Sequence, residues 1–437
     1  MTTPICDFVR RYEALRPIRL HMPGHKRGTD ITEIPGSDVL YAAQGIIRES
    51  EENAAALFHS RRTLYSAEGS SLCIRAMLYL AQMHAALQGR RARIAAGRNA
   101  HRVFLETAAL LDPELEWIGE SGSLLQCRVD PKALEDLFRS PGTAPTAVYL
   151  TTPDYLGNRT DLQPIAEICH RYGALLLADN AHGAYLRFLP GGEHPLTRGA
   201  DLCCDSAHKT LPVLTGGAYL HFSEDCPPAL SAMGERAMSL FASTSPSYLI
   251  LASLDAMNRL LAEDYPARLL ETAERVKDMK RALVQNGWRL VGTEPLKLTL
   301  APKAYGWLAG DLAAIMRENR IYCEFFDEDF LVMMVSPENS AEELRTVSRL
   351  LLSLPRRRPI TEGPPAPAKP ERVLTPHEAL MRPFESVPAE KSLGRILASP
   401  SVSCPPAVPI LVCGERIDGA AVAAFRYYGV ERVDVVR

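Results

Sequence analysis

Between Thr63 and His221 short apolar runs alternate with stretches of helical periodicity, the pattern of an α/β domain built on a mainly parallel sheet. Its clearest unit predicts a strand over Ala147 to Thr151, a helix over Asp161 to Tyr172 and a second strand over Ala174 to Ala178. Asp161 is placed to cap that helix, Pro164 falls in its first turn and Gly173 stops it. The run at 174–178 is apolar at every position, which suits a strand covered on both faces, and it ends in Asp179. Ligands of open α/β sheets lie beyond the carboxyl ends of the strands, so a charged side chain there is a candidate for chemistry. Upstream, the turn Gly69-Ser70-Ser71 opens a helix with apolar positions Leu72, Ala76, Met77, Leu80, Met83 and Leu87, closed by Gly89.

Past His221 the spacing predicts helices over Ser247 to Leu261 and Pro266 to Gln285, the second stopped by Gly287. A strand at Leu296 to Leu300, a helix near Asp311 to Glu318, strands around Tyr322 and Phe330 to Val335, and a helix at Ala341 to Leu354 make a smaller α+β unit. Proline then changes the picture: 13 of the 33 prolines fall between Pro355 and Pro409. Pro355 to Lys369 is too polar and proline-rich to pack alone and is expected to run extended. The predicted organisation is an arm over 1–62, a large domain over 63–250, a small domain over 251–355, a linker over 356–374 and a carboxy-terminal unit over 375–437. A chain of 437 residues agrees with that, at roughly 150 residues per domain.

Hydrophobic residues are 46% and charged residues 23%, with 49 Lys+Arg against 52 Asp+Glu, so the chain reads as globular and nearly neutral. That balance excludes a nucleic-acid binder held by bulk charge. Charged residues interrupt Met1 to Arg16, so no signal-peptide core can be drawn, and no apolar run nears the roughly 18 residues that span a bilayer. A cytoplasmic protein without membrane contact is expected. The ten cysteines form no C-x-x-C pair and read as reduced thiols. Cys203 and Cys204 point to opposite faces if extended, and Pro23-Gly24 breaks any helix joining His21 to His25, so no metal site is expected.

The densest chemistry is Asp205-Ser206-Ala207-His208-Lys209-Thr210. Ser206, His208 and Lys209 together offer donors for a phosphate and an amine able to form a Schiff base. Asp179 supplies a carboxylate of the kind that keeps a pyridinium nitrogen protonated, which pyridoxal phosphate needs in order to draw electrons from a substrate Cα. The Gly69-Ser70-Ser71 turn presents free backbone N–H groups at a helix start, suited to a phosphate, although a serine N-cap reads the same way locally. His101 either stacks on a ring or caps its own helix, and His182 is near the ring through its proximity to Asp179.

Four segments in order, His21-Met22-Pro23-Gly24-His25-Lys26, Asp179-Asn180-Ala181-His182-Gly183, Ser206-Ala207-His208-Lys209-Thr210-Leu211-Pro212 and Thr244-Ser245-Pro246-Ser247-Tyr248, resemble the bacterial ornithine/lysine/arginine decarboxylases of the fold-type I pyridoxal phosphate group. Pro405 to Pro409 and Gly414-Glu415 resemble that family's carboxy-terminal domain. The resemblance implies a compact form without the family's amino-terminal wing domain, a fold-type I large domain and a homodimer with shared sites. It implies that Lys209 carries the cofactor, Asp179 holds the ring nitrogen and His101 stacks on the ring. Ser70 and Ser71 would hold the phosphate, Ser206 and His208 would complete its shell, and Thr244 and Ser245 would reach the neighbouring subunit's site. Glu324 and Asp327 lie where the distal cation of arginine, lysine or ornithine would be met, or are solvated loop carboxylates. The implied reaction yields an amine and CO₂ and would serve amino-acid metabolism and polyamine biosynthesis. The alternatives are a fold-type I aminotransferase, for which no carboxylate-gripping arginine can be placed, and a non-catalytic regulatory relative. Glu68, Asp154, Cys404, Ala407 and Cys413 depart from the family's usual residues.

Overall fold

The computed structural model describes residues 1–119, 125–142, 144–365, 370–403 and 408–437. Seven strands, β1 (Arg62–Ser66), β2 (Arg93–Gly97), β3 (Glu114–Ile118), β4 (Ala147–Thr151), β5 (Leu175–Asp179), β6 (Leu202–Asp205) and β7 (Ala218–Phe222), form one sheet in the order β1-β7-β6-β5-β4-β2-β3. From β3 to β6 neighbours are parallel; β7 runs antiparallel to both β6 and β1. Along β5 the side chains alternate between two cores: Leu175 and Leu177 pack with Leu202 and Cys204 on one face, Leu176 and Ala178 with Val148 and Cys203 on the other. Each buried leucine contributes about 1.5–3 kcal/mol, and a strand shielded on both faces has no position for a polar residue until it ends, at Asp179. Cys203 and Cys204 do lie on opposite faces.

The helix predicted from Asp161 begins later, at Gln163, because Leu162 occupies the cap position. Asp161 instead accepts the Gln163 N–H (3.3 Å) from outside the first turn. Gly173 follows the helix at φ +69°, a conformation that favours glycine. The helix Gly69–Leu87 starts at the predicted turn.

The region read as an arm is helical: Pro4–Ala14 and Ile46–Phe58 bury Ile5, Val9, Ile47 and Phe58 against Leu251 and Leu254 of the helix Tyr248–Ala262. A second, antiparallel sheet has the order β10-β11-β9-β8, with β8 Leu290–Val291, β9 Lys297–Leu300, β10 Phe325–Phe326 and β11 Leu331–Met334. The strand expected near Tyr322 starts at Phe325 instead, and Tyr322 is exposed. Residues 355–365 have no helix or strand but are not free. The Trp307 indole N–H donates to Pro355 O (3.1 Å), and Arg357 lies over the Trp307 ring at 3.4 Å. Beyond them, β12 (Phe384–Pro388) pairs with β15 (Arg432–Val436), β13 (Ser401–Ser403) with β14 (Pro409–Val412), and the helix Gly419–Tyr427 covers them. Ala379, Ala398, Val412 and Val436 of this terminal unit join the core of the large sheet. Cys404 and Pro405 to Ala407, part of the tail motif, lie outside the described residues. Among the described residues the cysteines are free thiols, and no helix is long and apolar enough to cross a membrane.

Candidate active site

Register brings the site together. Thr151 of β4 pairs with Asp179 of β5, and Asp179 with Cys204 of β6, so the carboxyl ends of three parallel strands stand side by side. Asp179 is 2% exposed; one oxygen accepts the Tyr149 hydroxyl (3.1 Å) and the other the Ala181 N–H (3.2 Å). β6 runs on into the one-turn helix Ala207–Thr210, which presents Lys209. The Lys209 Nζ lies 3.3 Å from His182 Nε2, and among the described residues it pairs with no carboxylate, which leaves the amine available to a carbonyl.

The other end of the site is rich in donors. Gly69 takes φ +73° and donates its N–H to Gly216 O (2.7 Å), which starts the helix with Ser70 and Ser71 in its first turn. The Ser206 hydroxyl donates to Ser70 Oγ (2.8 Å), and His208 Nδ1 is fixed on Gly217 O (2.9 Å). Burial holds the His208 imidazole below its usual range, with Lys209 adding to the effect. Free N–H groups, the positive end of a helix dipole and two serine hydroxyls are what a phosphate requires. A cavity of about 710 Å³ joins the two ends and is lined by Gly69, Ser70, Ser71, His101, Asp179, His182, Ser206, His208 and Lys209. Its size suits a cofactor with its substrate. His101 both lines this cavity and caps the helix Arg102–Leu111, its Nδ1 accepting the Val103 N–H (3.3 Å).

Four sequence-predicted residues do not line the cavity. Thr244 and Ser245 are exposed on a loop joined to the site by Glu68, which accepts the Ser243 N–H (2.7 Å). Glu68 thus directs its charge to that loop. Glu324 is one step removed: it accepts a hydrogen bond from Tyr155 (3.1 Å), and Tyr155 is in the cavity wall. Asp327 accepts the N–H groups of Asp329 and Phe330 (2.7 and 2.6 Å) in its own turn, where burial pushes its carboxyl up to about 6. Asp154 lines the cavity but closes the turn to Asn158, accepting its N–H and its amide at 2.8 Å each.

Sequence reading missed Tyr149, Tyr155, Lys297 and the reach of the carboxy-terminal unit, whose Ser401 and Pro409 line the cavity. Glu415, 2% exposed, grips Arg98 through both oxygens (2.6 and 2.8 Å), three residues before His101. A lysine inside the apolar run 296–300 was the one local signal for Lys297.

His194 and His221 both donate through Nε2 to one oxygen of Asp205 (2.9 and 3.2 Å), a cluster with the spacing of a metal centre. Its hydrogen bonds argue for protein donors instead. His194 Nδ1 accepts the Leu196 N–H (3.4 Å), which in the neutral ring puts the hydrogen on Nε2, where a metal would need a lone pair.

The sheet, the carboxylate at the end of β5 and the lysine after β6 make this the fold-type I architecture of pyridoxal phosphate enzymes, and the donor set fits that cofactor at both ends. Residues 3–302 match the family model "Orn/Lys/Arg decarboxylase, major domain", and the chain belongs to this decarboxylase family. It is 28% identical to the uncharacterized protein YaaO of Bacillus subtilis (95% of this chain, 92% of that protein). It is also 28% identical to an arginine decarboxylase of Halalkalibacterium halodurans (97% of this chain, 93% of that protein). The fold matches the constitutive lysine decarboxylase of E. coli with a TM-score of 0.78 at 17% identity, over 100% of this chain and 82% of that one.

Proposed function

We propose that this chain decarboxylates a basic amino acid, arginine, lysine or ornithine, to the corresponding amine and CO₂, with pyridoxal 5′-phosphate bound covalently at Lys209. The observation that carries the reading is one cavity holding a lysine without a carboxylate partner among the described residues, a buried carboxylate and a helix start with two serines. When bound, the cofactor supplies an electron sink for the charge left at Cα as the carboxylate departs. Asp179, its orientation fixed by Tyr149 and the Ala181 N–H, would keep a proton on the ring nitrogen. Ser70, Ser71, Ser206 and His208 would hold the phosphate, and His101 would face the ring. Glu324, oriented by Tyr155, meets the distal cation of the substrate, and Asp327 shapes the turn beside it. The walls exclude water from the α-carboxylate, which raises its ground state more than the charge-dispersed transition state.

The enzyme acts as a homodimer in the cytoplasm, with Thr244 and Ser245 reaching the partner's phosphate region. Ile18 and Leu20, more than nine-tenths exposed in the single chain, are apolar side chains that a partner subunit would cover. The amine product is a precursor of polyamines. Purified protein is expected to be yellow, and borohydride should fix the cofactor to a peptide containing Lys209. A Lys209→Ala protein that remains coloured and active would end the reading. CO₂ release from arginine, lysine, ornithine and a neutral amino acid names the substrate, while a keto acid product in place of CO₂ would identify an aminotransferase.

A further inference from the structure

β9 opens with a lysine where every position is buried. Lys297 is 3% exposed, and its Nζ donates to the Asp154 carbonyl oxygen (3.2 Å) and lies 3.3 Å from His182 Nδ1. The opposite ring nitrogen, Nε2, is 3.3 Å from the Lys209 Nζ. One imidazole therefore bridges two lysine amines, one interior and one at the reacting position.

We propose that Lys297, acting through His182, sets the protonation of Lys209, with one proton shared along the line Lys209, His182, Lys297. A neutral imidazole carries one N–H and one lone pair, so it accepts from one amine and donates to the other. Two ammonium groups cannot both donate to it, because one of its nitrogens always bears hydrogen. The transfer balances within the three residues. Lys209 gives a proton to Nε2 while Nδ1 gives its own proton to the Lys297 amine. The ring stays neutral with its hydrogen moved from Nδ1 to Nε2, Lys297 becomes the ammonium, and Lys209 is left with the lone pair that attack on a carbonyl requires.

The surroundings agree. The groups facing His182 are Lys297, Lys209, His101 and His208, and burial together with these neighbours holds its pKa well below the imidazole range. Facing Lys297 are Glu294, Asp154, Lys209 and Glu324; burial pushes its amine below the usual lysine range, while Glu294 and Asp154 oppose that shift. The Tyr155 ring packs on both, 5.3 Å from the His182 ring and 5.6 Å from the Lys297 Nζ. Lys297 is thus a positioning residue for the proton on Lys209. A lysine serving only to tie β9 to the Asp154 turn would leave the tautomer of His182 indifferent to Lys297.

The inference rests on the reading that Lys209 carries the cofactor, but its main test does not need the cofactor. In the full-length cofactor-free chain, ¹⁵N-histidine NMR reports the tautomer of His182, assigned by the signal lost in His182→Gln. Lys209→Met should drive the ring to the Nε2–H form, since only Lys297 then donates to it, and Lys297→Met should drive it to Nδ1–H. Lys297→Met should also move the pH midpoint for borohydride-trapped capture of pyridoxal 5′-phosphate upward by about one unit, because the interior proton acceptor is gone. The same tautomer in both variants, or capture lowered equally at all pH values, overturns the relay. If Lys297→Met does not fold, Lys209→Met, which alters a side chain exposed to the cavity, decides alone: a ring in the Nδ1–H form overturns it. Failure of the wild-type chain to capture cofactor at Lys209 would end the decarboxylase reading, while the tautomers still decide the relay.

Discussion

Two aspartates end neighbouring strands, both almost fully buried, and their surroundings differ in one respect. Asp179 at the end of β5 lines the cavity and has only neutral donors, the Tyr149 hydroxyl, the Ala181 N–H and the Cys204 thiol. Asp205 at the end of β6 faces away from the cavity and is enclosed by His194, His221 and the Asn180 amide (2.6 Å). Burial alone would raise the Asp205 carboxyl; the two imidazoles override that and hold it well below the usual carboxylate range. A buried carboxylate whose acceptor sites are all met by protein stabilises the fold, whereas one that opens on a cavity keeps capacity for a ligand. Asn180 joins the two, since it follows Asp179 in the chain and donates to Asp205.

The sharpest way to break the contrast is to remove each charge. Asp179→Asn should lower kcat by about 10²–10³-fold, as loss of a preorganised charge does, with the unfolding midpoint nearly unchanged. Asp205→Asn should do the reverse, costing about 3 kcal/mol in urea unfolding with kcat of the folded fraction held within a few fold. If Asp205→Asn matches Asp179→Asn in kcat without losing stability, the division between the two is wrong. A third buried carboxylate tests whether the carboxy-terminal unit belongs with the site. Glu415→Gln should weaken the clasp on Arg98 by about 1.5 kcal/mol, read as weaker cofactor retention in dialysis. Retention and stability equal to wild type would show that the clasp is passive.

The smallest effect is a pH slope. Burial lowers the pKa of His221, so the folded chain refuses a proton that the unfolded chain accepts. A folded-state pKa below the unfolded one means stability is full above the unfolded value, about 6.5, and is lost as pH falls from there toward the folded value. The urea-unfolding free energy should therefore decline between pH 7 and 5 by at most about 1.4 kcal/mol per unit from this group. His221→Gln should flatten that part of the slope, and an identical slope in the variant would assign the proton elsewhere.

Much of the large sheet was legible because its signals are local. The uninterrupted apolar run at 174–178 announced a strand buried on both faces, and the glycines after the helices marked their ends. The Gly69-Ser70-Ser71 turn, Asp179 and Lys209 were legible as chemistry because polar residues at the ends of such runs have no structural need to be there. Boundaries set by competition were less so. Asp161 lost the cap position to Leu162, and the strand expected near Tyr322 began at Phe325, where pairing with Val332 of β11 is available. The linker, polar and proline-rich, read as a free tether; the buried Trp307 indole, supplied by a segment some fifty positions earlier, pinned it.

The sequence by itself determined the α/β pattern, the order of the site motifs and the residue types that a phosphate, a ring nitrogen and a carbonyl demand, since each depends on neighbours within a few positions. Only the tertiary structure decided that Asp205 is closed off by two histidines, that Glu415 reaches Arg98 across 317 positions of chain, and that Lys297 and Lys209 meet the two nitrogens of one imidazole. Those facts depend on strand register and on packing between units. The energies that fix register and packing come from apolar side chains elsewhere in the molecule, so no local reading of a charged residue reveals where its charge will lie.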